Sequence, residues 1–345
     1  MFKTDQITSN GFIIAEVGQN HQGDIELARK YIKIFAEAGA DAVKFQTRNN
    51  KYLFSESAYN NPYTSENAFS DVYGLHREKL ELNLSDLAIL KKDCNDLGVK
   101  FMSTPFDEPS LDFLSELNID ILKIASFDLG NLPFINKIAQ KKIPTVISIG
   151  GGKHDQIISS VDLLKKYLDE SMISILHCVS EYPCDVNKLG LDNIAKLKIL
   201  YPEIQVGLSD HFNGTLSGPI GFMKGARVFE KHVTLNRSWK GTDHSFALEP
   251  EGFRKFVRDI RRVPLMMPEK NIQEIGLEKV FMKLGKSIVA VKDLKRGDTL
   301  TIDNLSGKIF DKQYIPVRES NTIIGHKINC DIKKGDPILR TYIQD

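Results

Sequence analysis

The sequence predicts an α/β chain in which a closed (β/α)₈ barrel is followed by a small β-rich module. Three observations carry that reading. Eight short apolar runs recur along the first three quarters of the chain, each followed by a helix-period segment. The runs are continuous rather than alternating, as parallel strands buried on both faces are. A proline-containing break then precedes a stretch that holds two similar turn phrases.

Taken in order, the runs are residues 12–17, 42–46, 99–102, 119–124, 144–149, 173–178, 204–208 and 226–233. The intervening segments, such as 25–38 and 84–97, space leucine, isoleucine and alanine at helical period. Eight units within about 265 residues match the usual size of a closed barrel, and the glycine fingerprint of a dinucleotide-binding open sheet is absent. The longest irregular stretch, 49–82, is polar and rich in Asn, Ser and Tyr. It follows the second strand on the side where barrels carry their active sites, and reads as a lid or substrate loop.

The barrel is expected to span residues 1–265. Around 263–271 the chain carries Pro264, Met266, Met267 and Pro268 and breaks the preceding helical pattern. A linker is expected over 266–284 and the β-rich module over 285–345. Within the module, 287–291 and 323–328 read as strands. The phrases Lys-Asp-Leu-Lys-Arg-Gly-Asp (292–298) and Cys-Asp-Ile-Lys-Lys-Gly-Asp (330–336) each read as a turn after a strand. A module of about 60 residues is too small to carry a full active site, so its expected role is accessory.

The 345 residues are 41% hydrophobic and 26% charged, enough for one large core without covalent staples. Lys and Arg total 46 against 45 Asp and Glu, so no strong field draws nucleic acid or an anionic membrane to the surface. No run approaches the roughly 20 apolar residues that span a bilayer. Cys94, Cys178, Cys184 and Cys330 show no CxxC spacing, and the start of the chain lacks a signal-peptide apolar core, so a cytoplasmic location is expected.

In a barrel, polar groups at the C-terminal strand ends point into the catalytic mouth. Glu16 directly follows an apolar run, where an unpaired carboxylate would cost several kcal/mol. Lys44 interrupts the second strand and Lys123 the fourth; taken with hydroxyls at neighbouring strand ends, two strand lysines point to an anion pocket. The hydroxyls are Ser103 and Thr104 after the third strand, Ser126 after the fourth, Ser148 before Gly150-Gly151-Gly152, Ser180 after the sixth and Ser209 after the seventh. Lysines, hydroxyls and closely approaching glycine backbone together suit a phosphate or carboxylate. His211 and His232 end consecutive strands, close enough to share a divalent ion, with Glu16 and Asp243 as oxygen ligands or supporting groups. Mn²⁺ fits this set first, with Mg²⁺ or Co²⁺ as alternatives. Cys178 beside Ser180 and Tyr182 is read as packing rather than as a nucleophile, with His177 on the opposite face.

Ala-Glu-Val-Gly-Gln-Asn-His-Gln-Gly (15–23), Val-Lys-Phe-Gln-Thr (43–47), Ser-Thr-Pro-Phe-Asp (103–107) and Lys-Ile-Ala-Ser (123–126) resemble signatures of the sialic acid synthase family. So do Leu-His-Cys-Val-Ser-Glu-Tyr-Pro (176–183), Gly-Leu-Ser-Asp-His (207–211), Glu-Lys-His (230–232) and Lys-Gly-Thr-Asp-His-Ser-Phe-Ala-Leu-Glu-Pro (240–250). The resemblance implies a TIM barrel followed by an antifreeze-like (SAF, β-clip) domain, assembled as a domain-swapped homodimer. It implies a synthase that condenses phosphoenolpyruvate with an N-acyl hexosamine such as N-acetylmannosamine, giving a nine-carbon 2-keto-3-deoxy acid and phosphate. In that mechanism His211 and His232 hold the metal and Glu16 manages a proton. Lys44, Thr104, Lys123, Ser126, Ser148, Ser180 and Ser209 hold phosphoenolpyruvate, while Gln46, Asp128, Tyr182 and Asp243 contact the sugar. This chain has Ser180 where the family commonly has Asn and Asp128 where Glu is common. It also lacks the Arg-Pro-Gly phrase expected near Lys308. Two other readings remain at this point: a pyruvate aldolase with Lys123 as Schiff-base nucleophile, and a non-catalytic sugar-acid-binding homologue.

Overall fold

The structure, a computed structural model, describes every residue except Lys3, Thr4 and Asp345. Its chain divides into two compact units, residues 1–267 and 268–345.

Eight strands close the barrel of the larger unit: β1 Phe12–Gly18, β2 Ala42–Thr47, β3 Lys100–Pro105, β4 Ile121–Ile124, β5 Thr145–Ser148, β6 Ile173–Cys178, β7 Gln205–Asp210 and β8 Val228–His232. Each pairs in parallel with the next, and β8 returns to β1 with Glu16 opposite His232. All eight apolar runs are strands, with ends moved by up to a few residues. The helices between them cover the outside. The first, Ile25–Glu37, starts where the Asp24 carboxylate accepts from the backbone N–H groups of Glu26 and Leu27. It buries Ala28, Tyr31, Ile32 and Phe35, the i, i+3, i+4, i+7 stripe that a helix lays on a sheet.

The period of two along each strand separates two cores. Ile13, Ala15, Val43, Phe45 and Phe101 pack outward in the cluster shared with the helices. Ile14, Ala42, Met102, Ile121, Val146, Leu176 and Val228 form a separate inner cluster, sealed by Phe2, Ile7 and Phe12. The barrel is therefore plugged with hydrocarbon, and the next inward residues on each strand sit on that plug. At Gly207 of β7 a Cβ would lie 2.0 Å from the Val228 carbonyl oxygen, so this inward position of the plug has to be glycine.

The expected lid region contains three short helices, Asn50–Leu53, Glu56–Tyr59 and Tyr73–Glu78. Within it the rings of Tyr63, Tyr73, Phe69 and His76 pack together. The helix after β8, Pro250–Met266, runs through Pro264, where a break was expected; the ring costs least near a helix end, where few backbone groups remain to be paired.

The smaller unit contains β9 Ser287–Ala290 paired antiparallel with β10 Leu305–Lys308. Residues 268–284, expected as linker, group with this unit and include the short helix Lys279–Leu284. The expected strand 323–328 is a correction: the segment turns at Gly325, whose φ of 93° is left-handed, and only isolated bridges follow. In its place β10 pairs with β9; its residues alternate between half-buried and exposed, which hides it from an apolar-run reading. The two duplicated phrases meet each other. Leu294 and Ile332 exchange backbone hydrogen bonds of 2.8 and 2.9 Å. Asp293 accepts from the Lys334 N–H and Asp331 from the Arg296 N–H, a local two-fold arrangement.

Candidate active site

One step above the hydrocarbon plug, the inward residues become polar: Glu16, Lys44, Thr104, Lys123, Ser148, Cys178, Ser209 and Glu230 line the floor of a cavity of about 760 Å³. Gln46, Ser126, Tyr182, His211, His232 and Asp243 line it higher up. Twelve sequence-predicted site residues thus meet in one place, most at the C-terminal ends of strands and Tyr182 and Asp243 on the loops that follow β6 and β8. Two predicted residues lie elsewhere. Asp128 accepts from the Asn131 side chain (2.9 Å) beside the cavity. Ser180 lines a neighbouring cavity with Gly151, Gly152 and His177, and meets the floor only across Gly150.

Lys44 Nζ sits 2.7 Å from Glu16 and 3.6 Å from Glu230, and Lys123 Nζ lies 3.9 Å from Glu230. All four side chains are buried. Lys44 also donates to Thr104 Oγ1 (3.2 Å), Ser209 to Glu230 (3.1 Å) and Gln46 Nε2 to Glu16 (2.8 Å). Burial pushes the Glu16 carboxyl up to about 7, with Lys44 opposing and the charge on Glu230 reinforcing the rise. Burial would raise Glu230 as well, but Lys123 and Lys44 hold it down to about 2. Near neutrality the two ammonium groups therefore face one firmly charged carboxylate and one that is partly protonated. The surplus is positive, and the natural guest is an anion.

Unpaired hydroxyls agree with that surplus. Ser148 Oγ and Ser180 Oγ are buried without a hydrogen-bond partner, an arrangement that costs about 1–3 kcal/mol each unless a ligand completes it. Gly150 keeps the space open, since a Cβ there would lie 2.3 Å from Ser180 Oγ and 3.1 Å from Ser126 Oγ.

The His211 and His232 rings are 5.4 Å apart, centroid to centroid. His211 Nδ1 lies 2.7 Å from the Val179 carbonyl, which assigns the proton to Nδ1 and leaves the Nε2 lone pair available. Tyr182 packs on the His211 ring at 4.0 Å. His232 Nδ1 is buried, lacks a hydrogen-bond partner and stands 3.7 Å from Asp243. Burial holds His232 below the usual imidazole range, in the neutral form that a metal requires. The His211 Nε2 and the neutral His232 ring, with Asp243 beside them, fit a divalent ion. Among the described residues no three His, Cys, Asp or Glu side chains form a complete cage, so the remaining positions would fall to water or substrate. Directly outside these imidazoles, Asp210 and Lys231 form a buried ion pair of 2.6 Å that ties the end of β7 to β8, and Ser217 Oγ donates to the same carboxylate.

The sequence reading assigned no role to Glu230, Arg48 or Arg77, all of which line the cavity. Glu230 stands two residues before His232, so the strand period alone places it on the same face. Cys178, read as packing, lies in the cavity wall with Sγ 3.6 Å from Ser126 Oγ and 3.9 Å from His211 Nδ1. His177 points the other way, its Nε2 2.7 Å from the Leu189 carbonyl oxygen.

A closed parallel barrel with a lysine-lined anion floor under paired imidazoles defines a barrel enzyme of small anionic substrates. Residues 31–271 match the NeuB family model, and the chain belongs to that family. It is 33% identical over 335 residues to human N-acetylneuraminate-9-phosphate synthase, covering 97% of this chain and 93% of the relative. It is 36% identical over 302 residues to the N,N'-diacetyllegionaminic acid synthase of Campylobacter jejuni, covering 86% and 89%. Among solved structures, the N-acetylneuraminic acid synthetase of Leptospira borgpetersenii superposes with a TM-score of 0.69 at 31% identity, covering 78% of this chain and 90% of that one.

Proposed function

We propose that this chain condenses phosphoenolpyruvate with an N-acyl hexosamine to give a nine-carbon 2-keto-3-deoxy acid and inorganic phosphate. The observation that carries the reading is the floor of the barrel: Lys44 and Lys123 flank Glu230, with the unpaired Ser148 hydroxyl lining the same floor.

The residues divide the work by height. Lys44, Thr104, Lys123, Ser126, Ser148, Ser180 and Ser209 receive the phosphate and carboxylate of phosphoenolpyruvate and keep its alkene carbon turned toward the mouth. Gln46, Tyr182 and Asp243, with Asp128 at the edge, receive the open-chain sugar. His211 and His232 would hold a divalent ion, Mn²⁺ first, which supplies Lewis-acid polarisation of the aldehyde. The alkene carbon forms the new C–C bond to the aldehyde carbon, whose oxygen takes up a proton. Water then adds to C2, and the C2–O bond to phosphate breaks, so that phosphate leaves and the 2-keto group forms. Glu16, poised near neutrality, is the group suited to take the proton of the attacking water. A second strand lysine and the charge of Glu230 favour an anion-holding role for Lys123 over a Schiff base. The NeuB relatives weigh against a binding-only role.

We further propose that the smaller unit is an antifreeze-like domain and that the chain works as a dimer. In that unit Ile272 is 83% exposed, Val280 68% and Leu277 60%, an apolar stretch suited to burial against a second copy. Phosphate release and 2-keto acid formation from phosphoenolpyruvate, Mn²⁺ and a panel of N-acyl hexosamines test the reading. Equal, chelator-sensitive yields of both products with one sugar are expected; silence from a folded, metal-loaded sample across the panel would contradict it.

A further inference from the structure

A second cavity, of about 700 Å³, lies against the outward side of β6, bounded by the helices His154–Lys165 and Asp192–Leu200. Cys178 lines both this cavity and the catalytic one. The partition between them is built from small groups. The Cβ that Gly150 lacks would lie 2.3 Å from Ser180 Oγ and 3.1 Å from both Ser126 Oγ and Cys178 Sγ. Ser180 Oγ is buried without a hydrogen-bond partner, so no bond within the chain fixes its rotamer, and the hydroxyl is incomplete until an acceptor or donor meets it. On the outer side two lysines face one lining carboxylate. Lys188 pairs with Glu181 (2.9 Å), whereas Lys196 donates only to Asn193 Oδ1 (3.3 Å) and forms no ion pair among the described residues. His154 adds a further basic group. The positive surplus of the floor therefore continues beyond the partition. In the proposed condensation, phosphate is set free on the floor beneath the nine-carbon acid, which fills the mouth. By the mouth it would have to leave last; past Ser180 it need not wait.

We infer that the outer cavity is a second site for inorganic phosphate, held by Lys196 and Lys188. Product phosphate reaches it past Ser180, over the C-terminal ends of β5 and β6, and so leaves the barrel sideways. The inference rests on the proposed condensation and adds to it an exit for one product that is independent of the other.

Equilibrium dialysis of ³²P-labelled inorganic phosphate against the full chain, with and without saturating phosphoenolpyruvate, tests the site. A fluorescent phosphate sensor, read beside chemical quench during turnover, tests the passage. Phosphoenolpyruvate should displace phosphate from the floor and leave a second phosphate bound. Lys196→Glu should weaken that second phosphate at least about tenfold while the KM for phosphoenolpyruvate holds. Asn193 and Leu200 are exposed helix positions that line the outer cavity. Asn193→Trp and Leu200→Trp should each leave first-turnover formation of phosphate unchanged and slow its release at least about tenfold. A second phosphate that Lys196→Glu removes, in a chain that makes no sugar acid, would support the site and sink the synthase reading. Sugar-acid synthesis with all phosphate displaced by phosphoenolpyruvate, or with a second phosphate indifferent to Lys196→Glu, would overturn the inference and leave the synthase standing. Release that neither tryptophan slows, or no binding of phosphate at all, would also overturn it.

Discussion

Glu16 and Glu230 share one ring of the barrel and one lysine, yet their surroundings drive them apart. Glu16 is buried with Lys44 and Gln46 as partners, and burial prevails; Glu230 has two lysines in range, and their charge prevails. Each shift has a signature in stability. The folded value of Glu16 lies above its ordinary 4.5, so between about 4.5 and 7 the folded chain keeps a proton that the unfolded chain has released. Its contribution is full below 4.5 and is lost as pH rises through 7. Glu230 contributes in the opposite sense, above 4.5, and that stability is lost as pH falls toward 2. Glu16→Gln should therefore melt at a higher temperature than the parent at pH 8, with the gap closing by pH 4.5. Melting curves that run parallel over this range would show that Glu16 does not carry the shift.

The strands were the most legible elements. Runs such as 173–178 are predominantly apolar and buried at every position because both faces are covered, and that signal needs no tertiary information. Lys44 and Lys123 were legible for the converse reason, as charges inside such runs. Glu230 was not, because it sits between Ser209 and the two lysines only once β7, β8, β2 and β4 close into a ring. Arg77 belongs to a six-residue helix, Tyr73–Glu78, too short to show a periodicity, and only the fold brings it to the cavity. The outward pair Asp210 and Lys231 had the same difficulty, being recorded in sequence merely as neighbours of two histidines. Its role belongs to the strand ends: it fixes β7 against β8 and hence His211 against His232. Lys231→Met leaves Asp210 buried and unpaired, which should cost about 3–5 kcal/mol in urea unfolding and weaken Mn²⁺ binding measured by electron paramagnetic resonance. A loss under about 1 kcal/mol would mean that the pair does not clamp the strands.

At the scale of the molecule, an unusual share of apolar surface is concentrated in the smaller unit before β9. Ile272, Leu277, Val280 and Leu284 are all more than half exposed there, which a lone chain in water would not favour. The proposed dimer accounts for this. Analytical ultracentrifugation should give twice the chain's 38.9 kDa, and Ile272→Glu with Val280→Glu should shift the protein to monomer. A monomeric parent would remove the dimer from the account.

The proposed condensation is tested most directly by how phosphoenolpyruvate is broken. With ¹⁸O in the oxygen bridging carbon and phosphorus, a condensation that ends in C–O cleavage sends the label into inorganic phosphate, one labelled phosphate for each nine-carbon acid. That is the expected mass spectrum. Label retained in the organic acid, with unlabelled phosphate, would mean that the P–O bond breaks instead, and the reaction drawn from the lysine floor of this barrel would be wrong.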